Sequence, residues 1–174
     1  YCNSGIAACG FALNDPEIIE HAVGNYRTYV AREILSDGLF QEEDWHYAAF
    51  CIDALTLVAE LAHNCGYPQD LYNLVLPAKR PEEWDARYAS IVPLTGENKP
   101  ARSLRDVYDA MLEGQYPDLS GSNLGWQMNS AQFSSGTYVT LYELAWRRFN
   151  GHPYGWVLQQ MDRSSSERYC YEGI

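Results

Sequence analysis

A chain of 174 residues, 47% hydrophobic and 20% charged, can build one domain with a packed core but not two comfortable ones. A formal charge of −11 argues against a nucleic-acid partner, because neutralising phosphates requires a basic face. No apolar run among these residues reaches the length of a membrane span, and none reads as a signal peptide.

In chain order, residues 5–13 are small and apolar at helical spacing and end at Asn14. Asp15-Pro16-Glu17 restarts a helix, with Asp as N-cap and Pro at the first helical position. Ile19, Ala22, Val23, Tyr26, Val30 and Ile34 continue it with one buried face, until Ser36-Asp37-Gly38 breaks the rhythm. The third helix is the clearest. Tyr47, Phe50, Cys51, Ala54, Leu55, Val58, Leu61 and Ala62 repeat at helical spacing, and Asn64-Cys65-Gly66 stops them. Pro81 opens a shorter helix with Trp84, Tyr88 and Val92. Ser103 caps the next, carrying Leu104, Val107, Tyr108 and Met111 and closed by Gly114. After a polar stretch at 114–130, a helix with Tyr138, Leu141, Tyr142, Ala145 and Phe149 runs to Asn150-Gly151. A last one begins near Pro153 with Trp156, Val157 and Met161.

Strand-like alternation is scarce, and short connections between helices imply antiparallel neighbours. The expected fold is all-α: antiparallel helical hairpins in a bundle, a solenoid or an arc of an α/α barrel, with no fixed repeat period. The five cysteines, at 2, 9, 51, 65 and 170, have neither CxxC nor zinc spacing and read as buried thiols. The four histidines are scattered, so no metal site is expected. Six of the twelve basic residues fall between Lys79 and Arg105, but acids at 82, 83, 85, 97 and 106 dilute them into a solvated face. The 14 tyrosines suit both core filling and a sugar-binding groove.

P-loop, GxGxxG, HExxH and GxSxG signatures are all missing. The segment that merits chemical reading is Asp37-Gly38-Leu39-Phe40-Gln41-Glu42-Glu43-Asp44-Trp45-His46-Tyr47. It is a turn, then acidic and aromatic residues, then the head of the third helix. A tyrosine titrates at about 10 and acts as a base only with help. The positive end of a helix dipole gives such help in the first turn. By spacing alone, Tyr47 reads first as the opening rung of the apolar stripe that continues at Phe50 and Cys51, and only second as a catalyst.

Several stretches together resemble the heparinase II/III-like and oligoalginate-lyase-like polysaccharide lyases. Asn3-Ser4-Gly5-Ile6-Ala7-Ala8, Gly10-Phe11-Ala12-Leu13 and Asp15-Pro16-Glu17 look like that family's helix after its substrate-binding segment. Asp37-Gly38-Leu39-Phe40 with Glu42 and Tyr47 is similar to its "DG, aromatic, E, then YH" stretch. Ala54-Leu55, Leu57, Ala59-Glu60, Gly66 and Asp70-Leu71-Tyr72 resemble its next helix and "G-DLY" turn. Tyr116-Pro117-Asp118 and Leu141-Tyr142-Glu143-Leu144-Ala145 resemble its "FPD" and "YELAY" elements.

The resemblance implies that residues 1–174 are the C-terminal part of an (α/α) toroid, cut from a larger lyase whose β-sandwich domain is absent. It implies β-elimination on an acidic, uronic-acid polysaccharide, secreted or periplasmic action, and no cofactor for the elimination itself. Tyr47 matches the family's acid/base tyrosine and Glu42 its upstream glutamate, assigned to positioning. His46, Trp45 and Asn3 are further candidates for binding or positioning the substrate. The departures are specific: Ala48 follows Tyr47 where the family has His, and Gly121-Ser122-Asn123 replaces its "GD". The family's carboxylate-neutralising Asn/His pair belongs slightly upstream of Asn3. Three other readings stand beside the lyase: a degenerate carbohydrate-binding homologue, a helical scaffold for protein partners, and an inverting glycoside hydrolase. The hydrolase would need Glu113 or Asp118 as a distant second carboxylate.

Overall fold

The computed structural model describes residues 1–34, 38, 45–79, 101–113, 139–149, 154–155 and 158–159, with the side chains of 45–49, 111–113 and 139 outside that description. The described part is helical, as expected: α1 (Cys2–Leu13), α2 (Pro16–Glu33), α3 (Trp45–Asn64), α4 (Leu104–Glu113) and α5 (Val139–Phe149). One two-stranded antiparallel pair joins them, β1 (Leu76–Pro77) and β2 (Ala101–Arg102), with Leu76 opposite Arg102 and Pro77 opposite Ala101. Strands of two residues carry no alternation, which is why the sequence pattern does not betray them. The helix expected from Pro81, the 114–130 stretch and the "FPD" element lie outside the described residues. Among the described residues, no helix is long and apolar enough to cross a membrane.

Local chemistry sets the helix ends. Asn14 is left-handed (φ 51°), and its N–H reaches the carbonyls of Gly10 and Phe11 to close α1. Asp15 then caps α2, its carboxylate accepting from the N–H groups of Glu17 at 3.0 Å and Ile18 at 3.2 Å. The result is an antiparallel hairpin. At the far end of α3, Gly66 takes φ +70° while the Tyr67 N–H bonds the Ala62 carbonyl at 2.8 Å. Ser103 and Asp106 form a reciprocal capping box for α4: Asp106 Oδ2 accepts from the Ser103 N–H at 2.7 Å, and Ser103 Oγ from the Asp106 N–H at 3.3 Å.

The core collects Ala22, Val23, Tyr26 and Val30 of α2, Ile52, Leu55, Val58, Ala59 and Ala62 of α3, and Leu104, Val107 and Tyr108 of α4, with Leu141, Tyr142, Ala145 and Phe149 of α5. The stripes expected on α2, α4 and α5 hold. On α3 the burial is turned: Phe50, Cys51, Ala54 and Leu61 are only half-buried, whereas Asp53 and Thr56 are buried. Helix α3 packs on α1 and on α4, so more than one of its faces is covered. The cysteines also depart from expectation. Cys2, Cys9 and Cys65 are exposed. Helix α1 buries Ser4, Ala7 and Gly10, and Cys2 and Cys9 project from the opposite side beside exposed Leu13.

Gly38 is the tightest point of the described backbone. Its φ is +89°, it is buried, and a Cβ would overlap the Asp106 carbonyl oxygen and lie 3.1 Å from its carbon. Gly38→Ala should therefore cost about 1–3 kcal/mol or more in urea unfolding, from left-handed strain plus the clash. Asp15→Ala, which removes a cap without a clash, should cost about 1 kcal/mol. A Gly38→Ala variant as stable as the parent would show that the turn does not press on α4.

Candidate functional site

Trp45, His46 and Tyr47 make the first turn of α3, where unsatisfied N–H groups give the backbone its partial positive charge. Their side chains, and Glu42 altogether, lie outside the described residues. Tyr47 shares its helical register with Phe50, Ala54 and Leu61, which are half-buried, and with buried Val58. That register borders the core instead of running through its centre at Ile52, Leu55, Ala59 and Ala62.

The start of α1 packs beside this end of α3. The Tyr1 ring meets Phe50 edge-on at 6.0 Å, and its hydroxyl donates to Asp53 Oδ2 at 2.9 Å. At the other end Phe11 meets Tyr67 at 6.3 Å, so α1 and α3 run in the same direction. Asn3, expected to bind or position substrate, is turned to α2. Its Nδ2 donates to the Ala22 carbonyl at 2.9 Å, and its Oδ1 accepts from Asn25 Nδ2 at 3.0 Å. Asn25 Nδ2 also lies 3.2 Å from His21 Nε2. These bonds use about half of what one amide side chain can make. The structure thus joins Asn3 to Asn25 and His21, and does not describe its approach to Trp45, His46 or Tyr47.

A polar line along α3 escapes hydrophobic pattern reading. Asp53, Thr56 and Glu60 follow one another at helical spacing, and each meets a tyrosine hydroxyl: Tyr1 on Asp53, Tyr108 on Thr56 at 2.7 Å, Tyr72 on Glu60 at 2.9 Å. Burial pushes the phenols of Tyr26, Tyr72, Tyr108 and Tyr154 well above the ordinary tyrosine range, with nearby tyrosines or carboxylates adding to it. Tyr154 donates to Asp109, and Tyr26 donates to the Leu71 carbonyl at 2.6 Å. All four are protonated at physiological pH and unsuited to act as bases. The signal in the sequence was faint: polar residues interrupting an apolar helix at positions 53, 56 and 60.

Beyond Glu60 the line ends in an ion pair. Arg148 Nε and Nη2 grip Glu60 at 2.9 and 2.5 Å, and Nη1 lies 2.7 Å from His63 Nε2. The guanidinium also stands 5.8 Å from the Tyr72 ring centre. Burial tends to raise the Glu60 carboxyl, but hydrogen bonds from Arg148, Tyr72 and Asn64 outweigh it and hold the group below its usual value of 4.5. This cluster fastens α5 to α3. Among the described residues, no three of His, Cys, Asp and Glu converge as a metal site would require.

Residues 3–80, less than half of the chain, match the family described as Alginate lyase. The matched segment contains Asn3, Glu42, Trp45, His46 and Tyr47, and covers α1 to β1. No curated protein and no solved structure matches the chain. Over the matched segment the chain is similar to a family of polysaccharide lyases, which supports the sequence resemblance at that level.

The Glu60 pair has a pH signature. A carboxyl lowered by folding contributes stability that is complete above its unfolded value, 4.5, and is lost as pH falls through the folded value. Arg148→Met should cost about 2 kcal/mol at pH 7 by removing charged hydrogen bonds, and its penalty should shrink steadily below pH 4.5. Urea titrations of both proteins across that window check it. A penalty independent of pH would assign the loss to packing.

Proposed function

We propose that this chain forms part of a lyase that cleaves a uronic-acid polysaccharide by β-elimination, with Tyr47 as acid/base. The match of residues 3–80 to the alginate lyase family carries the reading, because it holds every candidate residue in one continuous segment. In this reaction a base removes the proton α to the uronate carboxylate. The electron pair forms the carbon–carbon double bond, and the glycosidic oxygen leaves, taking a proton from an acid. Abstraction requires the carboxylate charge to be offset, so that the enolate-like intermediate is stabilised as it forms.

Four observations support Tyr47 in that role. It lies in the first turn of α3, where the helix dipole favours a phenolate. Its register borders the core and does not cross it. Gly38, nine residues before it, is held against α4, as a catalytic segment requires. The tyrosines Tyr26, Tyr72, Tyr108 and Tyr154 are held protonated by burial, which sets them apart from a base. Glu42, Trp45 and His46, close before Tyr47 in sequence, are proposed to position the substrate, and Asn3 from the head of α1. The elimination itself needs no cofactor. The polymer lies outside the cytoplasm, and the proposal carries a secreted or periplasmic location with it. The toroid, of which these hairpins would be an arc, and a β-sandwich partner domain belong to the same proposal.

The test offers alginate, heparan, chondroitin, hyaluronan and ulvan to the full-length protein and follows the ultraviolet absorbance of the unsaturated product. One polymer should give the signal. Tyr47→Phe, which keeps the ring and removes the hydroxyl, should lower kcat by about a hundredfold or more. Full activity in Tyr47→Phe would remove the tyrosine from the mechanism.

A further inference from the structure

The segment joining α2 to α3 carries Glu42 and leads to Tyr47, and its start is held from outside the family-matched region. Helix α2 ends at Ile34, whose backbone is extended (φ −88°, ψ 126°), so its last carbonyls have no partner within the helix. Arg102 answers one of them. Its side chain is 2% exposed, Nε donates to the Ile34 carbonyl at 3.0 Å, and Nη1 to the Ala101 carbonyl at 3.1 Å. A guanidinium at a helix C-terminus also suits the negative end of the dipole.

Four residues further along the connection, Gly38 rests on the backbone of Asp106 and on Ala110 Cβ. Asp106 is itself fixed by the capping box with Ser103, next to Arg102 in sequence. One short element therefore touches both Ile34 and Gly38. We infer that residues 102–106 are a brace that sets where the α2–α3 connection delivers Glu42 and Tyr47, with Arg102 as the positioning residue. The kinetic half of this inference rests on the lyase reading; the structural half does not. A sidechain that holds the frame, and not the substrate, acts on the chemical step, where a displacement of about 1 Å can cost a hundredfold.

The experiment compares the full chain with Arg102→Met and Arg102→Lys by amide hydrogen exchange and by steady-state kinetics. Arg102→Met should exchange faster across residues 33–44 while the amides of α1 stay as in the parent. Arg102→Lys, which retains a cationic donor for the Ile34 carbonyl, should fall between. With a polymer that the parent cleaves, Arg102→Met should lose about ten- to a hundredfold in kcat. KM should stay within about twofold, and Arg102→Lys should recover part of kcat. Unchanged exchange across 33–44 overturns the brace whether or not the protein is a lyase. Faster exchange with unchanged kcat overturns the positioning role. A parent that cleaves no polymer counts against the function proposed above and leaves exchange to decide the brace. Should Arg102→Met fail to fold, Gly38→Ala probes the other contact with the same readouts.

Discussion

The last carbonyls of α2 point into protein, and the way they are satisfied organises the rest of the structure. Buried backbone acceptors left without donors are costly, so the chain must bring donors to them. Two arrive from distant segments: the Lys79 N–H bonds the Ala31 carbonyl at 2.9 Å, and Arg102 Nε bonds that of Ile34. The β1–β2 pair lies at this spot, with Lys79 two residues beyond β1 and Arg102 within β2. Removing the guanidinium would leave a buried acceptor, whereas removing a surface charge of the same sign would change little. The family-matched segment is thus completed structurally by residues that follow it.

Helix α3 obeys a second constraint. It presents Asp53, Thr56 and Glu60 to its neighbours, and three tyrosines supply the hydroxyls that meet them. Tyrosine suits that place because a large apolar ring fills the core while its one hydroxyl satisfies a buried polar group. The abundance of tyrosine in this sequence is therefore partly architectural. The phenols of Tyr72 and Tyr108 stay protonated through burial, and the distinction matters for function. A tyrosine that acts as acid/base needs the opposite surroundings, an edge position near positive potential, and the head of α3 offers that backbone setting.

Much of the helical frame was legible. Asn14, Asp15-Pro16, Gly66 and Ser103 mark helix ends through side-chain and backbone chemistry that acts locally, so local sequence suffices to find them. Burial on α2, α4 and α5 followed the apolar residues. On α3 it did so only in part: Leu55, Val58 and Ala62 are buried as their spacing suggests, but the buried side also includes Asp53 and Thr56, whose partners Tyr1 and Tyr108 are each 52 residues away. The exposed thiols of Cys2 and Cys9 show the same limit: residue type suggested burial, but the small-residue face of α1 took it. The candidate site was read from order and spacing around Asp37 and Tyr47. Gly38 gives that spacing a physical basis, as only glycine fits there against Asp106. Arg102 looked like one member of a diluted basic cluster, and its burial depends on tertiary contacts with Ile34 that no local pattern encodes.

The central claim is elimination at a uronate residue, and the mass of the new non-reducing end tests it most directly. The polymer that the protein cleaves is digested in water enriched in heavy oxygen, and the new chain ends are weighed by mass spectrometry. Elimination adds no water, so the fragment with the new non-reducing end should be unsaturated, lighter by one water than its saturated counterpart and free of heavy oxygen. Label at the new reducing end decides nothing, because its aldehyde form exchanges oxygen with solvent. A saturated non-reducing end with the mass of an intact sugar would mean hydrolysis, and would move the chemistry from a tyrosine to a pair of carboxylates.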